Sequence, residues 1–182
     1  MNYDTEMTVL YRLIENKEWD AVVERLDTNP EEASKFVEKY NIFEPTKLAW
    51  RLLPIHAGCY PNITTGSECE EVRCGIRAKF NVVEKLIDVY PEGAKMKDDQ
   101  GMIALHHICK NGGSINAINC ILDANRAGIY ERDMKGRTPL ESTQASVALN
   151  KEAIIAHLIN QKLYQKAERS EGRDDFAADS RM

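Results

Sequence analysis

The sequence predicts an all-α solenoid, and three observations carry that expectation. A short motif returns at an interval of 35 residues. Within each interval the apolar residues fall three and four apart, as on one face of a helix. Asp-x-x-Gly segments punctuate the intervals with turn chemistry, because an Asp side chain can bond the backbone two residues on and Gly tolerates positive φ. A lone helix pair cannot bury its apolar face, so units of this kind must stack.

In chain order, Leu10 to Ile14 and Trp19 to Leu26 read as a helix pair without an Asp-Gly turn. Asn29-Pro30-Glu31-Glu32 reads as the start of a further helix, with a cap residue, Pro in the first turn and acids at the positive end of the dipole. Residues 41–52 read as a link, which completes a divergent N-terminal helical cap over 1–52. Helix-pair units are expected near 53–97, 98–132 and 133–164, about four units when the cap is counted. Their second helices carry apolar stripes. Val82, Val83, Leu86, Ile87 and Tyr90 form the first, and Ile118, Ile121 and Leu122 follow behind Ser114 as N-cap. Ile154, Ile155, Leu158 and Ile159 close the series. Ile55 lies 50 residues before Leu105, which places an insertion of about 15 residues at 61–75. From 165 to 182 the composition turns to Lys, Arg, Glu, Asp, Ser and Gly, and a disordered tail is expected.

Two signatures define the interval. Ile55-His56-Ala57-Gly58-Cys59 is echoed by Leu105-His106-His107-Ile108-Cys109, and Thr138-Pro139-Leu140 completes a third copy. Asp98 to Gly101 precedes the second copy and Asp133 to Gly136 the third. Leu26-Asp27-Thr28-Asn29-Pro30-Glu31-Glu32-Ala33 returns as Ile87-Asp88-Val89-Tyr90-Pro91-Glu92-Gly93-Ala94, and more loosely from Leu122 to Ile129. These residues resemble ankyrin repeats, whose hallmark is Asp-x-x-Gly-x-Thr-Pro-Leu-His followed by a small-residue helix. The unit is similar to a lengthened form abundant in some unicellular algae, about two residues over the usual ~33. The resemblance covers roughly residues 7–164. It departs from the pattern at Ile103-Ala104, which replace Thr-Pro, and at Glu141, which replaces the His and marks a terminal cap. It implies that His56 and His106 bond the backbone of a neighbouring turn and stiffen it. His107 follows on the same helix with the groove as its expected side, and His157 reads as a partly buried packing residue.

Charge and cysteine usage bound the function classes. Lys+Arg 24 against Asp+Glu 29 leaves a net charge of −5, which argues against nucleic acid as a partner. The first 50 residues hold 11 acids and 6 bases and read as a solvated helical face. The longest charge-free stretch, Leu52 to Ser67, is broken by Pro54 and Pro61, so no membrane span is expected. The polar, acidic start shows no secretory leader, and five cysteines make an odd count, so reduced thiols and a cytoplasmic location, with the nucleus also open, are expected.

Cys59, Cys69 and Cys74 bracket the insertion close to His56, a donor set that would suit tetrahedral zinc. Their spacing lacks a Cys-x-x-Cys knuckle, while Cys59 and Cys109 hold small-residue packing positions. No metal or cofactor is therefore expected. Phosphate-loop, His-Glu-x-x-His and Gly-x-Ser-x-Gly motifs do not occur, and an enzyme is not expected.

The resemblance implies a non-catalytic protein–protein interaction module that holds a partner in a concave groove of turn tips and first helices. Asp99, Gln100, Met102, Lys110 and Asn111 would contribute from one unit, and Met134, Lys135 and Arg137 from the next. Two alternatives are a metal-binding or redox module built on the insertion cysteines and a structural subunit of a larger assembly.

Overall fold

The computed structural model describes residues 7–40, 48–59 and 82–178, with backbone alone at 40, 48 and 170–178. Among these the chain is mostly helical. Helix α1 spans Val9–Asn16, α2 Trp19–Thr28, α3 Pro54–Gly58, α4 residues 82–89, α5 Ala104–Lys110, α6 Ile115–Ala124, α7 Pro139–Gln144 and α8 Lys151–Ala178. Helices α1, α3, α5 and α7 form one row in which each touches the next. The second helices cover that row, and a single apolar cluster runs from Leu10 in α1 to Leu158 in α8.

Local chemistry sets the ends of these helices. Thr8 caps α1, its Oγ1 accepting from Tyr11 N at 3.1 Å. Ser114 caps α6 in the same way through Ala117 N, as the sequence predicts. The recurring Leu-Asp/Pro-Glu signature ends each time in a 3-10 turn, at Pro30–Ser34, Pro91–Ala94 and Arg126–Tyr130. The residues entering these turns, Asn29, Tyr90 and Asn125, share nearly one backbone conformation, with φ of −137°, −141° and −147°. The sequence repeat is thus a repeat of backbone geometry.

The expected helix at Asn29 is one of these short turns. Within it the buried Glu32 carboxylate accepts from Leu10 N at 2.7 Å and from the Arg25 guanidinium. It serves the positive end of α1 instead of its own turn.

Two further expectations are corrected. Residues 41–52 are not simply a link, because Leu48–Leu52 forms strand β2, antiparallel to β1 at Val37–Tyr40. Val37 faces Leu52, and Arg51 faces Glu38 across the ladder. The tail expected to be disordered from 165 is helical to Ala178. Polar pairing holds its first turn in place. Gln165 is buried and donates to Arg126 O at 3.1 Å, Glu168 pairs with Arg126 at 3.0 Å, and the Arg169 guanidinium lies over the Tyr130 ring. The 61–75 insertion, with Cys69 and Cys74, lies outside the described residues. No described helix is long and apolar enough to cross a membrane.

Candidate partner-binding face

The Asp98–Gly101 and Asp133–Gly136 turns are built alike. Asp98 Oδ1 accepts from Gln100 N and Met102 N, both at 2.8 Å. Asp133 Oδ1 accepts from Lys135 N at 2.9 Å and Arg137 N at 2.8 Å. Gly101 and Gly136 close them at φ of 72° and 74°, the conformation that glycine adopts without steric cost.

The second oxygens differ. Asp98 Oδ2 accepts from His107 Nε2 at 2.8 Å in a fully buried pair, whereas Asp133 Oδ2 accepts from both Nε and Nη2 of Arg137. Burial alone would raise the pKa of Asp98, but the hydrogen bonds from His107, Met102 and Gln100 outweigh it and hold the carboxyl below its usual range. His107 therefore lies inside, not on a groove as expected. Its ring stands 5.4 Å from that of His56, because α5 is packed by α3 on one side and α7 on the other.

Three side chains share one position at the start of their helices. His56 Nδ1 accepts from Leu53 N at 3.2 Å, His106 Nδ1 from Ile103 N at 3.3 Å, and Glu141 Oε2 from Thr138 N at 2.7 Å. Each returns to the N–H of the residue that precedes its helix, the role of the acid in a capping box. An imidazole has a second nitrogen to donate. His56 Nε2 reaches Met96 O at 3.1 Å and His106 Nε2 reaches Arg137 O at 3.0 Å, so each clips its own helix to the next turn. A carboxylate only accepts, and Glu141 makes no such onward clip. Burial pushes the His56 pKa down to about 4, with His107 adding to the effect, and burial lowers that of His106 as well.

Backbone hydrogen bonds join successive turns side by side. Asp99 N donates to Arg51 O at 3.4 Å while Asp99 Oδ1 accepts from Arg51 N at 3.0 Å. Met134 N donates to Gln100 O at 2.9 Å. Strand β2 and the two Asp-Gly turns therefore make one continuous edge.

The predicted binding residues divide sharply along this edge. Met102 is not on the surface at all: it is 2% exposed and belongs to the core, so it cannot anchor a partner. Arg137 is half-buried and held by Asp133, and Asp99 is held by Arg51. Asn111 is half-buried, with its amide 3.5 Å from Cys59 O. Gln100, Lys135 and Met134 are exposed on the turns, Met134 at 78%. Lys110 is exposed too, but at the far end of α5, about 10 Å along a seven-residue helix. Lys97 and Arg132 escaped sequence reasoning although they lie one 35-residue interval apart beside these turns. Both are exposed, and they pair with Glu131 and Glu141 respectively.

The zinc reading loses its imidazole, since both ring nitrogens of His56 are engaged by backbone. Cys59 is buried, and burial also pushes the pKa of the nearby Cys109 thiol upward. Among the described residues no group of His, Cys, Asp and Glu is arranged to hold a metal ion. No protein-family model matches the chain, and no curated protein matches it significantly.

Proposed function

We propose that the chain is an ankyrin-like repeat array that binds a protein partner on the edge formed by β2 and the two Asp-Gly turns. The observation that carries this reading is the backbone bonding of Arg51 to Asp99 and of Gln100 to Met134. It fixes the turns in register and leaves Met134 standing out between Gln100 and Lys135. A methionine held out on a rigid turn suits an interface, because its side chain adapts to the partner while the backbone beneath it is already ordered. Beside the turns, two cations sit with paired acids, Lys97 with Glu131 and Arg132 with Glu141. Mixed charge of this kind favours a protein surface over a polyanion, whose affinity would need unopposed cations.

Photo-crosslinking from positions 100 and 134 in native lysate tests the reading. Both positions should capture the same protein, and Lys135→Glu should reduce that capture. Capture from exposed positions on α2 or α6, with none from 100 and 134, would place the partner elsewhere.

A further inference from the structure

Helix α8 turns Ile154, Leu158 and Gln165 inward. At about 100° per residue, Ile155, Ile159 and Leu163 lie roughly 80°, 120° and 160° round the helix from that inward side, and Ile155, at the flank, is half-buried. Ile159 is 41% exposed and Leu163 60%, and Val147 and Leu149 stand fully exposed in the loop leading into the helix. Glu152 and Lys166, also exposed, fall on the same line, each seven residues from Ile159. Read along the helix the face runs Glu152, Ile155, Ile159, Leu163, Lys166. Reversal about Ile159 exchanges the acid with the base and one apolar residue with the other.

We propose that this face pairs α8 with α8 of a second copy of the chain, antiparallel and crossing at Ile159. The charge pattern selects both the occupant and its direction. In the antiparallel arrangement Glu152 of each copy meets Lys166 of the other, twice over, and Ile155 meets Leu163. A parallel arrangement would set Glu152 against Glu152 and Lys166 against Lys166. The antiparallel pair closes on its own two-fold axis, so association stops at the dimer. It also covers the exposed Ile159 and Leu163 and the half-buried Ile155, and apolar strips left open on a folded surface mark contact sites. This inference does not rest on the turn edge or its partner, since none of its residues lies there.

Sedimentation equilibrium of the full chain, run as a concentration series, tests it. The wild-type chain should reach a dimer, and Ile159→Glu, which sets two carboxylates face to face at the axis, should be monomeric throughout with an unchanged helical spectrum. Lys166→Glu should weaken the dimer roughly tenfold by turning two attractions into repulsions. Adding Glu152→Lys to it should restore the dimer, which only an antiparallel pairing allows. A wild-type chain monomeric up to about 0.1 mM, a dimer indifferent to Ile159→Glu, or a double exchange without rescue would each overturn the proposal.

Discussion

His107 donates to Asp98 across 2.8 Å inside the protein, tying helix α5 to the turn that precedes it. The same carboxylate caps two backbone N–H groups of that turn. One side chain thus holds three donors, of which Met102 N and His107 Nε2 are buried. Asp98→Ala should cost about 3–5 kcal/mol, the usual result of removing one member of a buried, hydrogen-bonded pair. Asp133→Ala should cost less, because its Arg137 partner is half-exposed and can return to solvent. Urea midpoints at constant slope would measure both, and equal losses would show that the buried imidazole contributes nothing.

Acid should destabilise the fold well before the carboxylates titrate. His56 and His106 accept a backbone N–H at Nδ1, so each must be neutral there when folded. The His56 pKa falls from 6.5 in the unfolded chain to about 4 in the folded one. The unfolded state therefore binds more protons over that window, and stability falls as pH drops through it. For His56 alone the loss by pH 4 is on the order of 3 kcal/mol. Asp98 and Asp133, with lowered pKa values, add a further loss below the usual carboxylate range. Stability that stays flat from pH 7 to pH 5 would contradict this assignment, and His56→Gln should flatten the slope.

The imidazole clip itself is open to test at His106. His106→Ala leaves Ile103 N and Arg137 O without their partner, and a buried group so orphaned costs about 1–3 kcal/mol. Glu141→Ala should cost less, since that carboxylate is exposed and caps without clipping a following turn. A denaturation midpoint unmoved by His106→Ala would remove the clip from the account.

The Asp-Gly turns were legible in the sequence because they depend on local chemistry at fixed spacing. The clips, which reach 40 and 31 residues along the chain, followed only from the resemblance. Met102 was not legible, and its counterpart one interval on, Arg137, shows why. The two positions share a register, yet α5 has neighbours on both sides, so Met102 is enclosed where Arg137 stays half-exposed. Burial at these positions depends on what lies beyond the unit, which periodicity does not encode. His107 was misplaced for the same reason. Strand β1 could have been found, since Phe36-Val37-Glu38-Lys39-Tyr40 carries β-forming residues among charged ones before a turn-forming stretch. The end of α8 was hidden in its composition. Lys, Arg and Glu read as solvated chain until Gln165, Glu168 and Arg169 are seen spaced to meet a single turn, Arg126–Tyr130.

That docking makes the tail measurable. Truncation after Tyr164 removes the buried Gln165, the Glu168–Arg126 ion pair and the Arg169 contact with the Tyr130 ring. A loss of about 1 kcal/mol would lower the melting temperature of a chain this size by about 2–4 °C. Unchanged melting would mean that the helix beyond Tyr164 adds nothing to the fold.

The contact between neighbouring turns can be tested by two glycines in the same conformation. Gly101 and Gly136 have φ of 72° and 74°, so an added Cβ strains the backbone about equally at either position, by ~1–2 kcal/mol. Their surroundings differ. A Cβ at Gly101 would lie 3.0 Å from Met134 N and 3.2 Å from Met134 Cγ, whereas at Gly136 nothing stands within 4 Å. Met134 N is the group that bonds Gln100 O, so the added methyl presses on the hydrogen bond that joins the two turns. Gly101→Ala should therefore cost more than Gly136→Ala, and the excess measures the coupling between turns, not the strain within one. Hydrogen exchange at the Met134 amide would report it directly: faster in Gly101→Ala, unchanged in Gly136→Ala. Equal stabilities together with equal exchange would mean that the turns stand side by side without supporting each other. The partner-binding edge would then lose the rigidity on which its proposed role depends.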